Sequence, residues 1–107
     1  MTGACPVDAS TFAFEVLQDS APVLVSFRAE RSGPCQIVDS LLEELVSRYF
    51  GRIKVVQVDV DTNQALASQW GIHGIPTVMI FFYGIKVASF SGLCLREDLT
   101  RTIEELL

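Results

Sequence analysis

Cysteine, histidine and tryptophan are scarce in this 107-residue chain, which holds three, one and one of them. The thiols at Cys5, Cys35 and Cys94 are odd in number, so they cannot form a complete disulfide framework. With no Cys-x-x-Cys pair and one histidine they also lack the spacing that zinc requires, and neither a metal site nor a cofactor is expected. Basic residues are outnumbered, 8 Lys and Arg against 13 Asp and Glu, and no run of them interrupts the net charge of −5. That balance argues against a phosphate-binding face and hence against nucleic acid as a partner. Long apolar runs are missing as well. The longest, Val78 to Tyr83, is far too short to cross a bilayer, so no membrane association is expected. The start, Met1-Thr2-Gly3-Ala4-Cys5, has no basic residue and no apolar core of a signal peptide, and Cys5 there is no lipidation site. The expected location is the cytoplasm, with thiols kept reduced; export by a route that needs no signal would leave no mark in the sequence.

What the chain does have is a hydrophobic half and enough length to bury roughly two-thirds of its unfolded surface, which is one domain over residues 1–107. Short β-branched runs at Val23–Phe27 and Ile53–Val58 read as strands buried on both faces. Between them Val38, Leu41, Leu42, Leu45 and Tyr49 recur at helical spacing, with Asp39, Glu43, Glu44 and Arg48 on the other side. This predicts a helix over Pro34–Phe50 that stops at Gly51. A shorter helix through Ala65, Leu66 and Trp70 follows, then a hairpin of Thr77–Tyr83 and Lys86–Phe90 about Tyr83-Gly84. The tail Arg96–Leu107 stripes Leu99, Ile103, Leu106 and Leu107 along one face, with Glu97 and Asp98 in the first turn. Near the start, an edge strand at Ala4–Val7 precedes a helix over Thr11–Gln18 capped by Ser10. The order β-α-β-α-β-α-β-β-α gives an α/β fold in three layers, a mixed sheet of about five strands flanked by four helices.

The segment Phe27-Arg28-Ala29-Glu30-Arg31-Ser32-Gly33-Pro34-Cys35, between a buried strand and a helix, resembles the active-site segment of thioredoxins, usually Phe-Trp-Ala-x-Trp-Cys-Gly-Pro-Cys. Further on, Val58-Asp59-Val60-Asp61, Trp70-Gly71-Ile72-His73-Gly74-Ile75-Pro76-Thr77 and Ser91-Gly92 resemble that family's third strand, cis-proline loop and groove glycine, in the same order. The likeness covers nearly the whole chain and implies the thioredoxin fold. It also implies a peptide groove made of Gly33, Pro34, Ile75, Pro76 and Gly92, with the backbone of Ile75 offered for strand-like pairing.

The chemistry of that family needs a thiolate at the helix N-terminus to attack a disulfide. Ser32 stands there instead, neutral and unable to bond Cys35 through sulfur, and it reads as an N-cap accepting the Cys35 N–H. The family's buried aspartate, which relays a proton, corresponds to Ser26, and its lysine neighbour to Gln57. The two flanking tryptophans correspond to Arg28 and Arg31, expected to put two fixed positive charges on the rim where partners dock. An engineered cysteine-to-serine trap would change one residue; this set of departures reads as natural loss. Cys35 is either a small buried hydrophobe or a single reactive thiol assisted by the helix N-terminus, Arg28 and Arg31. Cys94 resembles a position at the groove edge and is expected to be the more exposed thiol. His73 reads as an exposed loop residue.

Three functions follow. The first is a thioredoxin-like protein that docks the proteins thioredoxins dock, signalling kinases or transcription factors among them, and modulates redox signalling without turnover. The second is a monothiol oxidoreductase in which Cys35 works with glutathione. The third is a structural subunit. An exposed, alkylatable Cys35 would favour the second.

Overall fold

A computed structural model describes residues 4–107. The reading of the first three residues as free of a targeting signal lies outside that range. Five strands form one mixed sheet in the order β1-β3-β2-β4-β5. They are β1 (Ala4–Pro6), β2 (Val23–Arg28), β3 (Lys54–Asp59), β4 (Thr77–Phe82) and β5 (Ile85–Ser91). β1, β3 and β2 run parallel, and β4 and β5 are antiparallel additions. Every residue of β2 is buried, as befits the central strand of a sheet covered on both faces.

Alternation along the strands divides the interior into two layers. Leu24, Val55, Val78 and Ile80 pack against Val38, Leu42 and Leu45 of α1 (Gly33–Arg48), Tyr49 just after it, and Leu99 and Ile103 of α3 (Arg96–Leu106). Val25, Phe27, Val56, Val58, Met79 and Phe81 face the other way, onto Phe12, Val16 and Leu66. The helical elements of that second layer are a π-helical segment, Ala13–Leu17, and α2 (Gln64–Gln69). Trp70 closes it, its ring centroid 5.6 Å from that of Phe12 and 5.1 Å from that of Phe81. Each large aliphatic or aromatic side chain so buried contributes about 1.5–3 kcal/mol.

Helix α1 is the element that matters most for the site, and its limits have local causes. Ser32, extended at φ −103°, accepts the Cys35 N–H at 3.3 Å, and Pro34 sits in the first turn, where no donor is needed. The helix opens one residue before the expected Pro34 and ends at Arg48 rather than Phe50, which is 84% exposed. Gly51, at φ +77°, leads the chain away. Tyr49 donates its hydroxyl to Glu104 at 2.6 Å and so ties the end of α1 to α3. In α3, Leu99 and Ile103 are fully buried but Leu107, expected on the same stripe, is exposed, because the helix stops at Leu106.

The first helix departs most from its sequence reading. Ser10 does not cap it. Asp8 accepts the backbone N–H of Ser10 and Thr11 at 2.9 and 3.1 Å and the Ser10 hydroxyl at 2.6 Å. A carboxylate two residues upstream outcompetes the serine oxygen for these donors, and the helical segment begins only at Ala13, in π geometry. The Ser10 hydroxyl and N–H hold the Asp8 carboxyl below its ordinary value.

The hairpin turns on two residues, Tyr83 at φ +51° and Gly84 at φ +78°, the two left-handed positions that a type I′ turn requires. The strand register shifts between Ile80 and Phe81, and Ile85, Lys86 and Val87 of β5 are consecutively exposed as a result. Among the described residues no helix is long and apolar enough to cross a membrane.

Candidate functional site

The parallel strand β2 delivers the chain to the N-terminus of α1, and the loop before β4 arrives beside it. Four residues of the corner follow directly from that crossover. Gly33 and Pro34 are exposed at the helix start, Ser32 is half-buried as the cap, and Cys35 is 0% exposed with its thiol free. The unpaired N–H groups of this first turn are the reason the fold suits an anion or a thiolate here. The atom that receives one of them is the Ser32 hydroxyl oxygen.

The Ile75–Pro76 peptide is cis, with Pro76 buried and Ile75 half-buried. Thr77 Oγ1 donates to the Gly74 carbonyl at 2.8 Å and holds the loop's base. Gly92, at φ +78°, donates its N–H to the Pro76 carbonyl at 2.8 Å, so the two groove residues read from distant motifs meet backbone to backbone. Arg31 and Ile75 line a common cavity of 180 Å³ with Val60, Ala67, Ile72, His73 and Gly74. Gly33, Pro34 and Gly92 lie outside that cavity's lining. Val60, Ala67 and Ile72 are the apolar part of the site that motif reading missed. Their signal was present, since Val60 and Ile72 lie within the quoted motifs and α2 must present one face inward. His73 is exposed, as expected.

The rim expected from Arg28 and Arg31 is corrected by the structure. Arg28 is only 9% exposed: its Nε donates to both carboxylate oxygens of Asp39 at 3.1 and 3.0 Å, and its Nη1 to Glu30 at 3.3 Å. It ends β2 on the face that α1 covers, so its side chain turns inward and its charge is met inside the molecule. Arg31 is exposed but forms a fork with Asp61 at 3.2 and 3.3 Å. The hydrogen bonds it donates to that carboxylate raise the Arg31 pKa. The rim therefore carries one paired charge, not two free ones.

Burial opposes the charge on Arg28, but Asp39 and then Glu30 outweigh it and the net direction is upward. For Asp39 burial prevails: it pushes the carboxyl up more than Arg28 pulls it down, and Glu30 and Glu43 add to the rise. One guanidinium shared between two carboxylates cannot compensate both fully. The bridge is accordingly a geometric restraint more than a source of net stability.

Ser26 and Gln57 are paired across β2 and β3, and the Ser26 hydroxyl is buried without a hydrogen-bond partner among the described residues. Beside them an open cleft of 580 Å³ is lined by Arg28, Gln57, Asp59, Glu30 and Asp8, with Thr62 and Asn63. Neither Ser26 nor Gln57 is a group that takes up and releases a proton near neutral pH. Cys94 is less open than expected. It is half-buried against the α1 and α3 layer, and that burial raises its thiol pKa. Cys5 is exposed on β1. Among the described residues no three or more His, Cys, Asp and Glu side chains converge as metal ligands would.

Comparison with known proteins agrees with this geometry. The family model described as Thioredoxin matches residues 4–105. Thioredoxin 1 of Nostoc sp. is 45% identical over 107 residues, all of both chains, and Thioredoxin 1 of Synechococcus elongatus is 41% identical over the same full span. The chloroplastic M-type thioredoxin of Chlamydomonas reinhardtii is 36% identical over 101 residues, 94% of this chain and 72% of that one. A five-stranded mixed sheet, a helix opened by Gly-Pro-Cys and a facing cis-proline loop, matched along the full length to proteins of that name, place this chain in the thioredoxin family.

Proposed function

We propose that this protein, a single thioredoxin-like domain, docks the proteins that thioredoxins dock, in the cytoplasm, through the groove beside Ile75 and Pro76, and modulates redox signalling without dithiol turnover. One observation carries the reading: at the helix N-terminus a serine oxygen, not sulfur, receives the Cys35 N–H, while Cys35 itself is fully enclosed. A disulfide exchange needs an attacking thiolate and a resolving thiol, and this corner supplies only one sulfur. Ser26 and Gln57 supply no acid or base beneath it.

The groove suits an extended peptide. Its lining combines the apolar Val60, Ala67, Ile72 and Ile75 with Gly74, Arg31 and His73. An edge of backbone gives affinity by strand-like pairing and the small apolar cavity takes a side chain. Kinases and transcription factors that bind thioredoxins are the partner class this reading favours. The enclosure of Cys35 weighs against a glutathione-coupled monothiol activity, which needs the sulfur at the surface.

The test is a capture experiment with wild type, Cys35→Ala and Ala67→Glu side by side, together with an insulin-reduction assay of the wild type. Expected are no insulin reduction, equal capture by wild type and Cys35→Ala, and loss of capture by Ala67→Glu. Turnover by the wild type, or capture lost with Cys35 and kept with Glu at position 67, overturns the reading.

A further inference from the structure

We propose that the Arg28–Asp39 bridge is a latch that keeps the Cys35 thiol enclosed, so that access to the lone sulfur of this site is governed by one ion pair. Asp39 follows Cys35 by four residues on α1, which sets both on the inward face of the helix, one turn apart. Arg28 is the last residue of β2, the strand directly beneath, and it is joined to Ala29–Ser32, the loop that leads into α1 and whose Ser32 hydroxyl accepts the Cys35 N–H at 3.3 Å. Its guanidinium holds three parts of the corner at once: the strand end that carries it, the second turn of α1 through both oxygens of Asp39, and the loop through Glu30.

The other polar ties of this corner are weaker. The Ser32 cap is a neutral bond of 3.3 Å, and the Arg31–Asp61 pair is exposed on both sides, where water and salt screen it. The Arg28–Asp39 pair has side chains only 10% and 21% exposed. Removing the carboxylate would leave a guanidinium in a nearly closed place with a single partner, Glu30, whose own side chain is 86% exposed. The low-cost response is for Arg28 to follow Glu30 outward, carrying the loop away from Cys35. Because Asp39 is itself buried at a cost, the bridge adds little to overall stability, and its loss opens the corner without unfolding the chain.

This goes beyond the docking proposal and stands or falls without any partner. The experiment is a time course of alkylation with iodoacetamide, read at the Cys35 peptide by mass spectrometry, with denaturant midpoints measured on the same samples. Asp39→Asn is expected to raise the Cys35 rate at least tenfold over Ile103→Val, a control that loosens the distant α3 core, with a midpoint no lower than that control's. Asp39→Glu is expected to return the rate to within threefold of wild type. Should Asp39→Asn fail to fold, Arg28→Lys, which keeps the charge but loses the fork, is expected to give an intermediate increase. A Cys35 rate in Asp39→Asn and Arg28→Lys that stays at the wild-type level, or that only tracks the midpoint as the control does, overturns the latch.

Discussion

Ser26 of β2 and Gln57 of β3 stand opposite each other beneath α1, and the Ser26 hydroxyl, fully buried, has no hydrogen-bond partner among the described residues. A buried donor left unmade costs more than a methyl group in the same place. Ser26→Ala is therefore expected to be neutral or to stabilise the fold by up to about 1 kcal/mol. Urea unfolding of the two proteins measures this, and a clear destabilisation would reveal a bond to Ser26.

Ser32 has a structural task that can be separated from catalysis. Losing the cap in Ser32→Ala is expected to cost about 1 kcal/mol. For a chain of this size that lowers Tm by about 4–8 °C. Ser32→Cys restores two sulfurs to the corner, yet with Ser26 and Gln57 unchanged it is expected to reduce insulin only weakly. Vigorous turnover by that variant would show that the buried acid is dispensable here.

Gly84 is fixed by two constraints at once. Its φ of +78° disfavours any side chain, and a Cβ placed there would come within 2.8 Å of the Leu17 carbonyl oxygen. Backbone at that distance cannot swing aside as a flexible side chain can. Gly84→Ala is expected to destabilise by about 2–3 kcal/mol, more than a left-handed position alone would. Thermal unfolding reads the loss, and a shift of less than about 2 °C would mean that the hairpin and the π-helical segment are not in register as described.

Two carboxylates should give opposite responses to acid. The Asp8 pKa is lowered in the fold, chiefly by the Ser10 hydroxyl, so its contribution is present above the unfolded value of 3.8 and is lost as pH falls through the folded one. The Asp39 pKa is raised, chiefly by burial, so its contribution is full below 3.8 and is lost as pH rises through the folded value. Between pH 7 and 3.5, Asp8→Asn should narrow its stability deficit against wild type, while wild type should gain on Asp39→Asn. Unfolding midpoints over that range give both slopes, and parallel curves for the two variants would contradict the assignment.

The strands and the main helices were legible because their signals are local and mutually consistent. The β-branched run Val23–Phe27 has no polar residue except Ser26, and the heptad-like spacing of Val38, Leu42 and Leu45 admits only one buried face. Asp39 shows where such reading stops. On a helical wheel it passes for a solvated acid beside Glu43, but the arginine at the end of β2 draws it inward, and that partner lies eleven residues away across a turn. Arg28 misled for the same reason. A charge next to an exposed loop looks exposed until the direction of the strand's last side chain is known. Asp8 and Ser10 differ by a competition between two oxygens that sequence spacing alone leaves balanced. In the cavity beside Ile75, the walls come from three separate segments, and only the fold assembles them.

The margins of the sheet also govern how copies of the chain meet. One border strand, three residues long among the described ones, ends in Pro6, which has no hydrogen to offer a neighbour. The other is thrown out of alternation by the shift beside Phe81 and presents Lys86 near its start. An incoming ribbon finds neither a straight template nor an uncharged one, so crowding this molecule should not nucleate fibrils along its borders.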